Sequence, residues 1–262
     1  MSSTSFRVVQ LSDTHLFSDS NRELLGVPTA DSLVTVLDAV RQVQPELLLL
    51  TGDLSQDETA PSYERLRDLV LPLNIPTYWL PGNHDQPDLM AQILENSSIS
   101  SRKLFDHHGW NFVLLNSAQP GKVDGYLSPE ILSNLERQLQ SLPSQPTLIA
   151  LHHPPCPIGS DWMDQISLRQ PDDFCSIVER HPQVKLVLFG HIHQEFSATR
   201  AGVQYLGCPS TCVQFKPQNS VFAIDDQQPG FRLLQLYADG RAKTSIQRVN
   251  YCPTLDLAAH GY

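Results

Sequence analysis

Long apolar runs are missing from this 262-residue chain, where none exceeds four residues. A membrane-spanning helix needs about 20 such residues and a secretory leader a core of roughly 7–15, so neither is expected. The polar lead before the first apolar run fits a cytoplasmic protein. Cysteine is sparse: Cys156, Cys175, Cys208, Cys212 and Cys252 are odd in number and form no CxxC pair. That argues against a disulfide framework or a cysteine zinc site and leaves thiols that are mostly buried. Basic clusters are lacking too. Lys and Arg total 18 against 28 Asp and Glu, a net charge of −10, which disfavours a long nucleic-acid footprint. Gly/Ser linkers, low-complexity tracts and internal repeats are also absent.

What remains is a globular composition. At 40% apolar a chain of this size buries about three quarters of its unfolded surface. Up to about residue 195 one pattern repeats: a short β-rich apolar run, a polar loop, then a segment of helical period. The runs are Phe6–Leu11, Leu47–Thr51, Thr77–Leu80, Asn111–Leu115, Thr147–Leu151 and Lys185–Phe189. Between them, Asp31 is placed to cap a helix with Leu33, Val36, Leu37, Val40 and Val43 on its apolar face. Pro61 suits the first turn of a second helix, and Ser128-Pro129 starts another that buries Leu132, Leu135, Leu139 and Leu142. This alternation predicts an α/β domain with a largely parallel sheet. Beyond residue 200, Gly202–Leu206, Val213–Phe215, Val221–Ile224, Gly230–Leu236 and Lys243–Val249 read as an antiparallel meander. One domain over residues 1–250 is expected, with a tail of little periodicity over 251–262.

Five of the apolar runs empty into metal-ligand residue types. VVQLS leads to Asp13-Thr14-His15, LLLLT to Gly52-Asp53, and TYWLP to Gly82-Asn83-His84-Asp85. TLIAL leads to His152-His153, and KLVLF to Gly190-His191-Ile192-His193. Loops at the carboxyl ends of neighbouring strands in an open α/β sheet converge on one crevice. The i, i+2 pairs Asp13/His15 and His191/His193 point the same way from an extended segment. Each motif alone is weak, because a lone DxH or HxH is a common surface or core pair. The ordered set of five is specific.

That set resembles the calcineurin-like metallophosphoesterases. The wider pattern is LSDTHLF, GDLSQD, PGNHD, LLNSAQPGKVDGYL, LHHPPCPIGSDWMDQ, GHIHQE and CPSTCVQFKP. It is similar to the bacterial class III 3′,5′-cyclic-nucleotide phosphodiesterases. The resemblance implies a four-layer α/β/β/α sandwich of two mixed sheets, which periodicity alone does not reveal. It implies one divalent ion on Asp13, His15, Asp53 and His193. A second would sit on Asp53, Asn83, His152 and His191, with Asp53 bridging. Mixed imidazole and carboxylate donors suit Fe²⁺ or Mn²⁺, with Zn²⁺ possible. Two such ions about 3.5–4 Å apart clamp a phosphoryl group and generate hydroxide from water. The implied reaction is hydrolysis of 3′,5′-cyclic AMP to 5′-AMP. Its implied partner is a small cyclic nucleotide, with no nucleic-acid polymer and no membrane, on a monomer or homodimer. His84 would be the general acid or phosphate donor, and Asp85 would fix its tautomer. Asn83 would also touch substrate.

Blander readings compete at several positions. His153 reads as a backbone-bonded neighbour rather than a third ligand. His107, His108, His181 and His260 read as surface residues, and Asp57 as a helix cap. Cys208 and Cys212 read as small buried residues near the site. Asn116 stands where the family commonly has aspartate, outside the ligand positions. The long segment Pro154–Arg169 carries Trp162, which reads either as core or as a wall that stacks on adenine. Rival functions are hydrolysis of another ester (2′,3′-cyclic nucleotide, phosphoprotein, lipid or nucleic-acid diester) and a metal-free protein-binding scaffold, which the intact ligand set disfavours.

Overall fold

The computed structural model describes residues 5–259 and 261. Strand β1 (Ser5–Leu11) leads through the short hairpin β2 (Glu23–Leu24) and β3 (Val27–Pro28) into helix α1 (Thr29–Val43). The alternation continues with β4 (Leu47–Thr51), α2 (Ala60–Val70), β5 (Thr77–Leu80), α3 (Pro87–Leu94) and β6 (Ile99–Ser100). A second set follows: β7 (Leu104–His107), β8 (Trp110–Leu114), α4 (Pro129–Ser141) and β9 (Thr147–Ala150). The single turn α5 (Asp161–Asp164) precedes α6 (Pro171–Arg180) and β10 (Val184–Phe189). The chain ends with β11 (Phe196–Arg200), β12 (Val203–Gly207), β13 (Gln214–Phe215), β14 (Ile224–Asp225), β15 (Gly230–Tyr237) and β16 (Ala242–Arg248).

Two six-stranded mixed sheets result, in the orders β16-β15-β1-β4-β5-β6 and β11-β12-β10-β9-β8-β7. The first has parallel pairing from β1 through β6 and an antiparallel flank at β15 and β16, and the second has a parallel centre between antiparallel edges. Alternation along the strands builds the layers. Val8, Leu47 and Leu49 of the first sheet meet Phe112, Leu148, Leu186 and Leu188 of the second in a core between the sheets. Their neighbours Val9, Leu11, Leu48 and Leu50 turn the other way, toward α1, α2 and α3. Val113, Ile149 and Val187 likewise face α4 and α6. Strands covered on both faces are therefore apolar at nearly every position. The four-layer expectation holds.

Local departures have local causes. Helix α1 starts at Thr29, so Asp31 lies in its first turn and is not the cap. Pro28 enforces the extended entry, and the acid there favours the positive end of the helix. Ser128 does cap α4, accepting from the Ile131 amide at 3.2 Å. Asp57 caps nothing: its carboxylate accepts from the Ser18 amide and the Thr59 hydroxyl, while Thr59 takes the cap position of α2. The expected meander is corrected as well. β12 runs parallel to β10, because β11 goes to the sheet edge and returns through Ala201-Gly202. Both turn residues have positive φ, the geometry that matches hairpin twist. Of Val221–Ile224 only Ile224 enters a strand. β15 pairs antiparallel with β1 and so completes the first sheet.

Residues 251–259 lie along the β2–β3 hairpin. The Asp256 amide donates to the Leu25 carbonyl at 3.0 Å, and a Cβ at Gly26 would fall 2.1 Å from the Thr254 oxygen. No helix among the described residues is long and apolar enough to cross a membrane.

Candidate metal centre

The five motif loops meet at the carboxyl ends of β1, β4 and β5 from one sheet and of β9 and β10 from the other. Backbone hydrogen bonds zip the first two loops together: Asp13 N–H to Gly52 O at 2.9 Å, His15 N–H to Asp53 O at 3.0 Å, and Leu16 N–H to Leu54 O at 3.1 Å. Asp13, His15, Asp53, His191 and His193 all have φ between 45° and 71°. Left-handed backbone at non-glycine residues costs energy and is tolerated where a site over-determines it. Glycine makes the close approach possible at two of these loops. A Cβ at Gly52 would lie 2.4 Å from the His152 ring, and one at Gly82 would lie 2.1 Å from Asp53 Oδ1.

Asp13, His15, Asp53, His152, His191 and His193 are fully buried, at 0% exposure. Asp13, His15 and His193 each place a ligand atom within 4.8 Å of the others, as do Asp13, Asp53 and His152. His152 Nε2 is 3.2 Å from Asp53 Oδ2 and 3.9 Å from Asp13 Oδ1, and His193 Nε2 is 3.4 Å from Asp13 Oδ1. On the far side of each ring an acceptor takes the Nδ1 proton. His152 Nδ1 donates to Thr51 O at 2.8 Å, His193 Nδ1 to Val213 O at 2.9 Å, and His15 Nδ1 to Gln56 Oε1 at 2.6 Å. Those acceptors take the Nδ1 side of each ring, so each Nε2 faces inward and, once it carries no proton, offers its lone pair to an ion.

This arrangement fits divalent ions. His15 Nε2 and His193 Nε2 approach to 3.1 Å, close enough for one cation to take both as ligands. Asp53 Oδ2, Asn83 Oδ1, His152 Nε2 and both ring nitrogens of His191 are buried without a hydrogen-bond partner. Asp53 Oδ2 and His152 Nε2 are close but misaligned for a hydrogen bond. Buried orphans of this kind cost about 1–3 kcal/mol each unless something fills the gap. The field agrees. Burial pulls His152 down, yet Asp53 and Asp13 outweigh it and lift its pKa to about 9. His15 is pushed down to about 3, by burial first and His193 next. His191 falls well below its usual value through burial and the neighbouring His153 and His152. The cluster attracts positive charge but cannot hold it as protons on several rings.

Around the cluster, some expectations change. His84 donates its backbone N–H to Asp53 Oδ1 at 2.9 Å, and its ring lies edge-on to His15 with centroids 5.3 Å apart. It offers a ring nitrogen within 4.8 Å of ligand atoms of His15 and Asp53. Asp85, expected to orient His84, is otherwise occupied. Its carboxylate accepts from the Leu54, Ser55 and Gly82 amides and the Tyr63 hydroxyl, and so braces the loop that carries Asp53. Burial, with Asp53 nearby, raises its pKa to about 7 despite those amides. His153 has both nitrogens engaged, by the Ser117 hydroxyl at 2.8 Å and Val123 O at 3.0 Å, in keeping with a backbone-bonded role.

Trp162 meets Phe215 and Phe222 edge-on at 5.3 and 5.2 Å, and Phe215 stacks on His193 at 4.1 Å. Those are packing contacts. A cleft of about 400 Å³ opens beside Asn83 and His84, walled by Asn116, Gln119 and Val123. Trp162 does not line it. Cys208 and Cys212 are buried, and burial pushes both thiols up to about 12. Cys252 is exposed. His107 ends β7 half-buried against Phe6, with His108 beside it, exposed. His181, expected at the surface, is mostly buried and bonds Glu136 at 3.2 Å. His260 lies outside the described residues. Gln56, whose Oε1 meets His15 Nδ1, is a contact of the cluster that the motifs did not single out, although it lies within GDLSQD three residues after Asp53.

Residues 6–195 match the calcineurin-like phosphoesterase family, and the chain belongs to it. Among its relatives is a 3′,5′-cyclic-nucleotide phosphodiesterase of Nostoc, 49% identical over 246 residues, covering 93% of this chain and 92% of the relative. The 3′,5′-cyclic adenosine monophosphate phosphodiesterase CpdA of Pseudomonas aeruginosa is 45% identical, covering 93% and 90%. That of Escherichia coli is 41% identical, covering 98% and 94%. In fold, the chain resembles a dimetal phosphatase from Danio rerio, with a TM-score of 0.66 at 15% identity over 94% of this chain and 99% of the other.

Proposed function

We propose that this chain is a dinuclear metal-dependent phosphodiesterase that hydrolyses 3′,5′-cyclic AMP to 5′-AMP. The observation that carries the metal reading is the buried cluster of inward-facing imidazole nitrogens beside two carboxylates. The substrate reading is supported by relatives of that name across nearly the whole length. Asp13, His15, Asp53 and His193 would hold one divalent ion, and Asp53, Asn83, His152 and His191 the other. Fe²⁺ or Mn²⁺ best suits these donors, with Zn²⁺ the alternative. When bound, such ions supply Lewis acidity and lower the pKa of water.

The chain's own residues do the rest. Asn83 and His84 line the cleft, where the amide and imidazole would meet the phosphoryl oxygens. Water adds to phosphorus as the P–O3′ bond breaks, the His84 ring gives a proton to the departing O3′, and the proton that the attacking water releases restores the ring. The leaving oxygen is part of the ribose, so the nucleoside must lie on the His84 side, in the cleft. Asp85 holds the Asp53 and Asn83 loops in register through its amide contacts. The enzyme would act in the cytoplasm as a monomer or homodimer.

The test is a substrate panel. Purified protein with added Mn²⁺ is given 3′,5′-cyclic AMP, 2′,3′-cyclic AMP and an aryl phosphodiester in parallel. The expected result is a kcat/KM for 3′,5′-cyclic AMP above that for 2′,3′-cyclic AMP. Turnover of the aryl ester alone would overturn the substrate assignment and keep only the phosphoesterase.

A further inference from the structure

Three histidine rings of the centre are fixed through Nδ1, but not by the same kind of group. Thr51 and Val213 hold His152 and His193 by backbone carbonyls. His15 is held by a side chain, Gln56 Oε1 at 2.6 Å. We propose that Gln56 is a positioning residue that sets the tautomer of His15 and, through it, the affinity of the ion site formed by Asp13, His15, Asp53 and His193. The inference rests on the ligand assignment proposed above.

The placement of Gln56 is built in. Its own amide donates to Leu16 O at 2.8 Å, and Leu16 and Ser55 form a parallel bridge, so the loops carrying His15 and Gln56 are locked in register. The next residue, Asp57, would be a stronger acceptor for an imidazole proton. It is drawn away by the Ser18 amide at 2.7 Å and the Thr59 hydroxyl at 2.9 Å. The neutral amide therefore meets His15 where an anion is available one residue along. An amide can serve in either sense, which couples two orientations. With Oε1 facing the ring, Nδ1 carries the proton and Nε2 is a ligand. With Nε2 of Gln56 facing it, the histidine proton moves to its own Nε2 and points at His193, blocking the ion. A carboxylate in this place would enforce the first state and raise ligand basicity. An amide permits it with weaker grip, so this ion site binds less tightly than it would with a carboxylate in the place of Gln56.

Two variants test this, Gln56→Leu and Gln56→Glu. In metal-free protein with ¹⁵N-labelled histidine, wild type and Gln56→Glu should show His15 protonated on Nδ1, and Gln56→Leu should lose that signature. In equilibrium dialysis against Mn²⁺, Gln56→Leu should weaken one of two ions by about 10–100-fold and leave the other unchanged. Gln56→Glu should bind that ion at least as tightly as wild type. Unchanged tautomer and affinity in Gln56→Leu overturns the proposal. So does equal weakening in both variants, which would mean that Gln56 only packs the loop. A wild-type protein that binds two ions yet leaves cyclic AMP intact overturns the substrate reading, while these tautomer and affinity readouts still decide the role of Gln56.

Discussion

Asp53 is where the most constraints converge on one side chain. Its Oδ1 accepts from the His84 amide, its Oδ2 faces His152, and its backbone φ is 52°. Burial alone would raise its pKa, but His152 and its neighbours His84 and His15 hold the carboxyl well below the usual range. It is therefore held ionised, which suits the bridging role proposed for it. Asp53→Ala should lower bound Mn²⁺ from two ions to less than one per chain and cut turnover by on the order of 10³-fold or more. Two ions retained in that variant, by elemental analysis, would sink the bridge. His84 is the contrasting case, close to the ligands but assigned to the substrate. His84→Ala should keep both ions while turnover of cyclic AMP falls by roughly 10²–10⁴-fold. An aryl diester, whose leaving group needs no proton, should lose much less. Equal losses on the two substrates would leave His84 with an electrostatic part only.

At the scale of elements, the site hangs on strand-to-loop junctions, and those were legible in the sequence. Each ligand motif follows an apolar run directly, and residue type alone marks Asp13, Asp53 and His152 as donors. The groups that aim the donors were not legible. Thr51 O and Val213 O are backbone atoms, which any residue would supply, and Gln56 looks like an ordinary loop amide. Sheet order was hidden for a related reason. Burial of Val203, Tyr205 and Leu206 says which faces of β12 are covered, not that β10 is its parallel neighbour. The segment with Trp162 shows how a loop can mislead. Its length beside His152 suggests a lip over the site, yet α5 folds Trp162 onto Phe215 and Phe222. Trp162→Ala should then lower the melting temperature, since truncating a large aromatic in contact with the core costs up to about 3–5 kcal/mol. It should reduce kcat/KM by a similar factor for cyclic AMP and for an aryl diester. A loss confined to cyclic AMP, at unchanged melting temperature, would restore the base-stacking role.

Across the whole molecule, the centre joins two halves that otherwise meet through side-chain packing and a few polar ties. Gln10 of β1 reaches Phe189 O of β10 at 3.1 Å, and Arg232 of β15 reaches Gly207 O of β12 at 2.6 Å. The proposed ligands divide in the same way. Asp13, His15, Asp53 and Asn83 follow strands of the first sheet, while His152, His191 and His193 follow strands of the second. Every ion held by this set would therefore cross-link the sheets and relieve the mutual repulsion of Asp13 and Asp53. Binding to the folded state alone stabilises by about 2.7 kcal/mol per site when free ion is at 100 times its dissociation constant. For a chain of this size that corresponds to roughly 5–10 °C in Tm per site. Calorimetry should show Tm falling on chelation and climbing again with added Mn²⁺. Asp53→Ala should melt near the chelated wild type and respond little to Mn²⁺, because neither ion then has its shared carboxylate. If the loaded and chelated proteins melt together, the ions do not tie the sheets, and the cluster's stability must come from the backbone zipper between the Asp13 and Asp53 loops alone.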